Sequence, residues 1–296
     1  MSAYVCPFCS TASPADTATC PGCGAPIDIT RKPSASGWLE LPPTADLARI
    51  QAGRSSLQIE GTLVPVADFK LADGDGIYFG HHELLWKDPA VHVERMNIKG
   101  AWKRMLAGLP VHMLNAKGPG RIAFSRDAPG EMLAIPIAAG QGVDVREHVF
   151  LVATQAVTYD YLVSPVWYDT REGDEIEHHW PLGMLLDRFS AKTEPGLVLI
   201  HAHGNAFVRT LAPGESVFVK GSALLYKDPS VNMQLHFELA ERKGFASWFS
   251  SAWNYQRYVW LHLTGPGRVA IQSAYGHHHD PERAIYRSSQ ATEHRW

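Results

Sequence analysis

Leu84-Leu-Trp-Lys-Asp-Pro-Ala-Val91 returns farther along the chain as Leu224-Leu-Tyr-Lys-Asp-Pro-Ser-Val231. Agreement at that density within one chain marks an internal duplication, and duplications of this size mean stacked copies of one structural unit. Each segment is preceded by a glycine-led run. Gly74-Asp-Gly-Ile77-Tyr-Phe79 leads to Leu84, and Gly214-Glu-Ser-Val217-Phe-Val219 leads to Leu224. A third, looser copy reads Gly140-Gln-Gly-Val143-Asp-Val145, then Phe150-Leu-Val152. A second motif is expected to follow each copy: Gly118-Pro-Gly-Arg-Ile122, Gly204-Asn-Ala-Phe-Val208 and Gly265-Pro-Gly-Arg-Val269. Proline after glycine sets a turn, and the second glycine supplies a backbone angle that other residues resist.

Around these motifs the pattern is that of β-strands. Val143-Asp-Val145 and Val259-Trp-Leu-His-Leu263 alternate apolar with other residues, whereas Leu197-Val-Leu-Ile200 is continuously apolar. Gly and Pro interrupt such runs at short intervals, as in β-sandwiches and barrels. The expectation is an all-β body over residues 53–276, with three pseudo-repeats starting near 74, 140 and 214. An extended, mobile Pro/Ser/Gly-rich linker is expected over 30–52, and a polar, frayed tail over 277–296.

All four cysteines stand at the amino-terminal end, as Cys6-Pro-Phe-Cys9 and Cys20-Pro-Gly-Cys23. Two such knuckles supply the four thiolates of a tetrahedral zinc site. Residues 1–29 are therefore expected to form a small zinc ribbon with Cys6, Cys9, Cys20 and Cys23 as ligands. A segment this short buries little core, so the metal would supply its stability. Disulfides, a thioredoxin-like redox pair and a four-thiolate iron site are the alternatives.

The chain has 296 residues and a formal charge of −3. Proteins that grip phosphates usually show a basic excess, so nucleic acid is not the expected partner. The run Met1-Ser-Ala-Tyr-Val-Cys6 lacks the charged and apolar regions of a secretion signal, which makes the cytoplasm the expected location. No phosphate-binding loop, nucleophile elbow or His-Glu-x-x-His pair is present, so the chain is expected not to be an enzyme. His201-Ala-His203 is the main challenge to that view. Two imidazoles on one strand face suit a cupin-like metal site, but no carboxylate follows, and His262 is expected at the equivalent place in the third repeat, which favours a packing role. His178-His179 should point opposite ways on a strand, and Glu172-Gly-Asp-Glu-Ile-Glu177 reads as a solvated loop.

Irregular insertions mix aromatics or Met with basic residues: Trp102 and Met105 in the first, Trp180 in the second, and Phe245, Trp248, Phe249 and Trp253 at helical spacing in the third. They are expected to pack on the body or between subunits, or to dock a protein partner or a membrane surface.

The glycine-led strand ending in an aliphatic pair, Lys103-Arg104 before a loop, and the Gly118-Pro-Gly120 and Gly265-Pro-Gly267 turns resemble the "altered inheritance of mitochondria" proteins, a mitochondrial biogenesis family and former domain of unknown function. The resemblance spans roughly 53–276. It implies a double-stranded β-helix or sandwich like that of the tryptophan RNA-binding attenuation protein, repeated within one chain, and homo-oligomers, often trimers. The attenuation protein's RNA-contacting residues find no counterpart here.

Overall fold

The computed structural model describes residues 50–80, 83–96, 113–172, 175–239 and 257–274. It also describes short pieces before them, at 4–5, 12–13, 17, 19, 21–22 and 36–40. Among these residues there is no α-helix. Near the amino terminus lie β1 (Tyr4–Val5), β2 (Ala12–Ser13), β3 (Leu39–Glu40), β4 (Ile50–Ala52) and β5 (Ser55–Glu60). The first repeat holds β6 (Val66–Leu71), β7 (Gly76–Gly80), β8 (Leu84–Lys87), β9 (His92–Arg95), β10 (Met113–Lys117) and β11 (Gly120–Ser125). The second holds β12 (Gly130–Ile137), β13 (Gly142–Arg146), β14 (Phe150–Thr154) and β15 (Val157–Val163). After an inserted hairpin, β16 (Tyr168–Glu172) and β17 (Glu175–His179), it resumes with β18 (Leu185–Ala191) and β19 (Gly196–His203). The third holds β20 (Ala206–Leu211), β21 (Ser216–Lys220), β22 (Leu224–Lys227), β23 (Asn232–Leu239), β24 (Arg257–Thr264) and β25 (Gly267–Gln272).

Strand register makes the repeats superimposable. Gly76 faces Lys117, Gly142 faces Ser190 and Ser216 faces Thr264. Gly120 faces Leu71, Gly196 faces Ile137 and Gly267 faces Leu211. The second series corrects the reading of Gly204-Asn-Ala as the middle repeat's turn. The equivalent of Gly120 and Gly267 is Gly196, preceded by Pro195. Gly204 lies at the junction of two repeats, where it bridges Gly130.

The duplicated octapeptide and the Gly-Pro-Gly turn are two halves of one contact. Asp88 Oδ2 accepts the Arg121 amide at 2.8 Å, and Asp228 Oδ2 accepts the Arg268 amide at 2.8 Å. A Cβ at Gly120 would stand 2.7 Å from Val91 Cγ2, and one at Gly267 2.8 Å from Val231 Cγ2. Both glycines also sit at φ +139, which L side chains rarely adopt. The middle repeat makes the same contact with other residues. Thr154 Oγ1 accepts the Leu197 amide at 3.0 Å, and Val157 closes on Gly196.

Each repeat contributes two three-stranded halves, and halves of successive repeats merge. The first repeat's β7-β10-β9 joins the second's β12-β19-β14 through β7–β14, giving a six-stranded sheet. The second's β15-β18-β13 joins the third's β22-β25-β20 through β13–β22, and β3 extends this sheet to seven strands. The remaining halves stand apart. One is β6-β11-β8, which β5 and β4 extend to five strands; the other is the three-stranded β21-β24-β23. All the sheets are antiparallel.

Core clusters occupy three successive seams between these four sheets. Leu57, Phe69 and Phe124 of the five-stranded sheet meet Ile77 and Phe79 of the six-stranded one, with Phe79 and Phe124 rings 4.7 Å apart. Tyr78 and Phe150 on the other face of the six-stranded sheet meet Phe189 and Val145 of the seven-stranded one. Leu211 and Val269 of that sheet meet Leu261 and Leu263 of the three-stranded one. Middle strands are therefore covered on both faces. This is why Leu197-Val-Leu-Ile200 in β19 is continuously apolar, whereas β24, covered on one face, alternates.

The stretch read as a mobile linker contributes structure. Leu39 and Glu40 pair with Val208 and Phe207, and the Arg209 guanidinium stands 6.0 Å from the Trp38 ring centre. The acidic run at 172–177 is not a loop throughout, because the β16–β17 hairpin carries strand on both sides of it.

Candidate functional site

His201 and His203 lie on β19 with their rings 5.1 Å apart. His201 is fully buried, and its Nε2 is 3.1 Å from the Ala128 carbonyl, to which the neutral ring donates. Register places Ser125 and Gln272, not His262, at the equivalent positions; His262, on β24, corresponds to Arg188 and Asn115. All three equivalents do the same work. Ser125 Oγ donates to the Pro65 carbonyl, His201 to that of Ala128, and Gln272 Oε1 accepts the His203 amide. Each ties the last strand of its repeat to the chain just ahead of that repeat's first strand. His201 is thus a structural clasp.

Burial, with His203 and Arg126 nearby, pushes the His201 imidazole down to about 4 against the opposing pull of Ala128. His203 is lowered as well, by burial and then by Arg126 and Arg146. Guanidinium neighbours also oppose a bound cation. Among the described residues, no third His, Cys, Asp or Glu completes a metal-binding group. A neutral clasp has a pH signature. Between about 6.5 and about 4 the unfolded chain binds a proton at His201 that the folded chain refuses, so stability is full near neutrality and falls as pH drops through that window. His201→Gln is expected to remove a slope worth on the order of 3 kcal/mol across it, measured as urea unfolding at several pH values.

The seven-stranded sheet holds a second polar group, on the face opposite Val143 and Val145. Asp144, fully buried, takes a bidentate bond from Arg188 (2.6 and 2.9 Å) and one from Lys227 Nζ at 3.0 Å. Asp144 and Lys227 face each other across the β13–β22 joint. Burial alone would raise the Asp144 carboxyl; its two cationic partners outweigh that and hold it below the ordinary range. Because Asp144 and Lys227 come from different repeats, this group fastens two repeats together.

The uncovered surface is where chemistry remains to be done. Trp167 is 49% exposed and Ile176 56% exposed, beside the inserted hairpin. The Trp167 ring is 5.9 Å from Trp180 and 6.1 Å from His178. Tyr168 stacks on His179 at 4.8 Å and meets Phe237 edge-on at 5.5 Å. His178 is exposed and His179 buried, as adjacent strand residues should be. A second patch lies on the open face of the three-stranded sheet, where half-exposed Phe218 lies 4.5 Å from His236 and 4.9 Å from His262. Aromatic surface with polar edges is the usual composition of protein-binding patches.

Trp180 is the one expected docking residue that the described structure places, half-buried beneath Trp167. Trp102, Met105, Phe245, Trp248, Phe249 and Trp253 lie outside the described residues, as do Cys6, Cys9, Cys20 and Cys23. Sequence reading missed Trp167, Ile176 and Phe237. Trp167 and Tyr168 were the available signal, since paired aromatics ahead of an acidic turn suit a hairpin. Among the described residues, no helix is long and apolar enough to cross a membrane.

The sequence profile of the family described as "Mitochondrial biogenesis AIM24" matches residues 57–274. No curated protein matches the chain. A crystal structure of a protein from Streptococcus pyogenes is similar in fold, with a TM-score of 0.53 at 16% identity, covering 81% of this chain and 99% of that one.

Proposed function

The chain belongs to the mitochondrial biogenesis AIM24 family, and from that premise we propose that it is a non-enzymatic scaffold that holds a protein partner and copies of itself. We read the body as a triplicated sheet unit like that of the tryptophan RNA-binding attenuation protein, without its RNA-binding role, since the net charge of −3 opposes phosphate binding. Cys6, Cys9, Cys20 and Cys23 would form a structural zinc ribbon ahead of it. Their four thiolates suit zinc, and the pairing of Tyr4–Val5 with Ala12–Ser13 suits a short hairpin around the first knuckle. A reducing cytoplasm would keep those thiols free for the metal.

The observation that carries this reading is the exposed pair Trp167 and Ile176 at the inserted hairpin, with half-buried Trp180 beneath Trp167. Large apolar groups held in water by a hairpin suit a docking face. The test uses the full chain and the variant Trp167→Asp/Ile176→Asp. Cross-linking in cells should recover a partner with the parent and at least about tenfold less with the variant, because a charge at an interface centre costs more than one kcal/mol. Equal recovery by the folded variant overturns the reading, and binding to lipid vesicles alone redirects it to a membrane surface. Metal analysis tests the ribbon. One zinc per chain, lost in Cys6→Ser/Cys20→Ser and kept in His201→Gln, is expected; the reverse favours a cupin-like site at His201 and His203.

A further inference from the structure

Arg146 ends β13 at a position that the repeat plan leaves open, since register sets Gly80 and Lys220 there in the other two repeats. Its Nη1 donates to the Ser222 carbonyl, in the turn Gly221–Ala223 just ahead of β22. That carbonyl has a second donor, Gln272 Nε2 at 3.1 Å. Among the described residues, no carboxylate stands at ion-pair distance from Arg146; Glu147 attracts it from farther off. Other cations of the body are matched. Arg188 and Lys227 share Asp144, Arg126 pairs with Glu83, and Arg268 pairs with Asp228. A guanidinium does not shed its proton, so partial burial leaves Arg146 with a charge and most of its N–H groups unmatched.

The groups linked to Arg146 are unmatched as well. Ser222 Oγ, His201 Nδ1 and Glu83 Oε2 are buried without a hydrogen-bond partner among the described residues. Gln272 ties the Ser222 carbonyl to the His203 amide, which its Oε1 accepts at 3.0 Å. The His203 ring lies 5.1 Å from that of His201. Arg126, the partner of Glu83, and Arg146 both act on His203 and oppose its protonation. The ends of β13, β19 and β25 and the turn before β22 therefore meet in one polar place, where the second and third repeats join. Two guanidiniums around a neutral imidazole favour negative charge there. Buried polar atoms are seldom left unmatched unless a water or an ion meets them.

We propose that Arg146, Ser222 and His203 form a binding site for a small oxyanion, a carboxylate or a phosphate group. The planar guanidinium offers paired N–H groups that match two oxygens of such a group. The Ser222 hydroxyl adds a neutral donor, and the His203 ring flanks the site with its backbone held by Gln272. The anion would supply the counter-charge that no side chain brings to Arg146. The net charge of −3 disfavours long polyanions, but a single group responds to the charges beside it. The site lies apart from Trp167 and Ile176, and neither it nor the docking face depends on the other.

The test titrates the full chain with sodium acetate and, separately, with inorganic phosphate at fixed ionic strength, read by thermal unfolding and by calorimetry. The parent's unfolding temperature should rise and saturate with at least one of them, and the one that acts tells carboxylate from phosphate. Arg146→Met should lose that rise and bind at least about tenfold more weakly, since charge-assisted bonds to the fork are gone. Ser222→Ala should weaken binding less. Arg54→Gln, at a cation that is 69% exposed and paired with Asp75, should bind as the parent does. Without added anion, Arg146→Met should unfold at or above the parent's temperature. Gln272 still serves the Ser222 carbonyl, and an unmatched charge has been removed. No saturable rise in the parent with either anion, an equal rise in Arg146→Met, or a loss of binding in Arg54→Gln each overturn the proposal. So does an anion-free Arg146→Met protein that unfolds well below the parent, because it makes Arg146 a structural tie.

Discussion

Asp144→Ala is expected to lower the unfolding free energy by about 3–5 kcal/mol, the range for removing one member of a buried ion pair. The reason is what the change leaves behind. Lys227 is almost as buried as Asp144, and its ammonium would keep only the Asp228 carbonyl, at 3.3 Å. Arg188 is partly exposed and can turn to water. The loss also falls at a joint, where Asp144 and Lys227 are partners in the β13–β22 register, so the change weakens the connection between two repeats. The double variant Asp144→Leu/Lys227→Met should recover most of the stability, since an apolar pair of similar volume needs no charge compensation. Denaturant unfolding of the three proteins checks this. An Asp144→Ala protein within about 0.5 kcal/mol of the parent would mean that the pair carries no such charge burden.

The second large effect concerns one repeat position substituted three times. Leu151→Ala and Leu225→Ala should each cost about 2–5 kcal/mol, the range for emptying a fully packed leucine site. Leu85→Ala should cost less than about 0.5 kcal/mol in monomeric protein, because that side chain is 56% exposed and little packing is lost. The residue and its place in the motif are the same in all three cases; only the presence of a neighbouring strand differs. Thermal unfolding of the three variants at low protein concentration measures the contrast directly. Equal losses at all three positions would show that the rim of β8 is covered within the single chain.

Much of the fold was readable because the strongest repeat motif is itself a contact. Asp88, Val91 and Gly120 touch one another, as do Asp228, Val231 and Gly267, so neither half can drift without the other. The middle copy was harder to read. Thr154 replaces the aspartate and Pro195-Gly196 lacks the leading glycine, yet an oxygen acceptor and a close-approach glycine suffice for the same geometry. Gly204 imitated the motif because a glycine before an apolar strand looks alike wherever it falls. The hairpin at 168–179 was obscured by its acidic turn, and the docking tract was obscured with it.

The sequence by itself determined an all-β body, the Gly-Pro-Gly turns of the first and third repeats, and the threefold repetition. These depend on alternation, on the backbone freedom of a few glycines, and on contacts between residues close in the chain or in the same repeat. Only the tertiary structure decided that halves of successive repeats merge into shared sheets, that His201 is a clasp with Ser125 and Gln272 as its counterparts, and that Leu85 faces water where Leu225 does not. Those outcomes depend on which edges meet across long separations. Identical residues carry no mark of whether a neighbouring strand lies beside them.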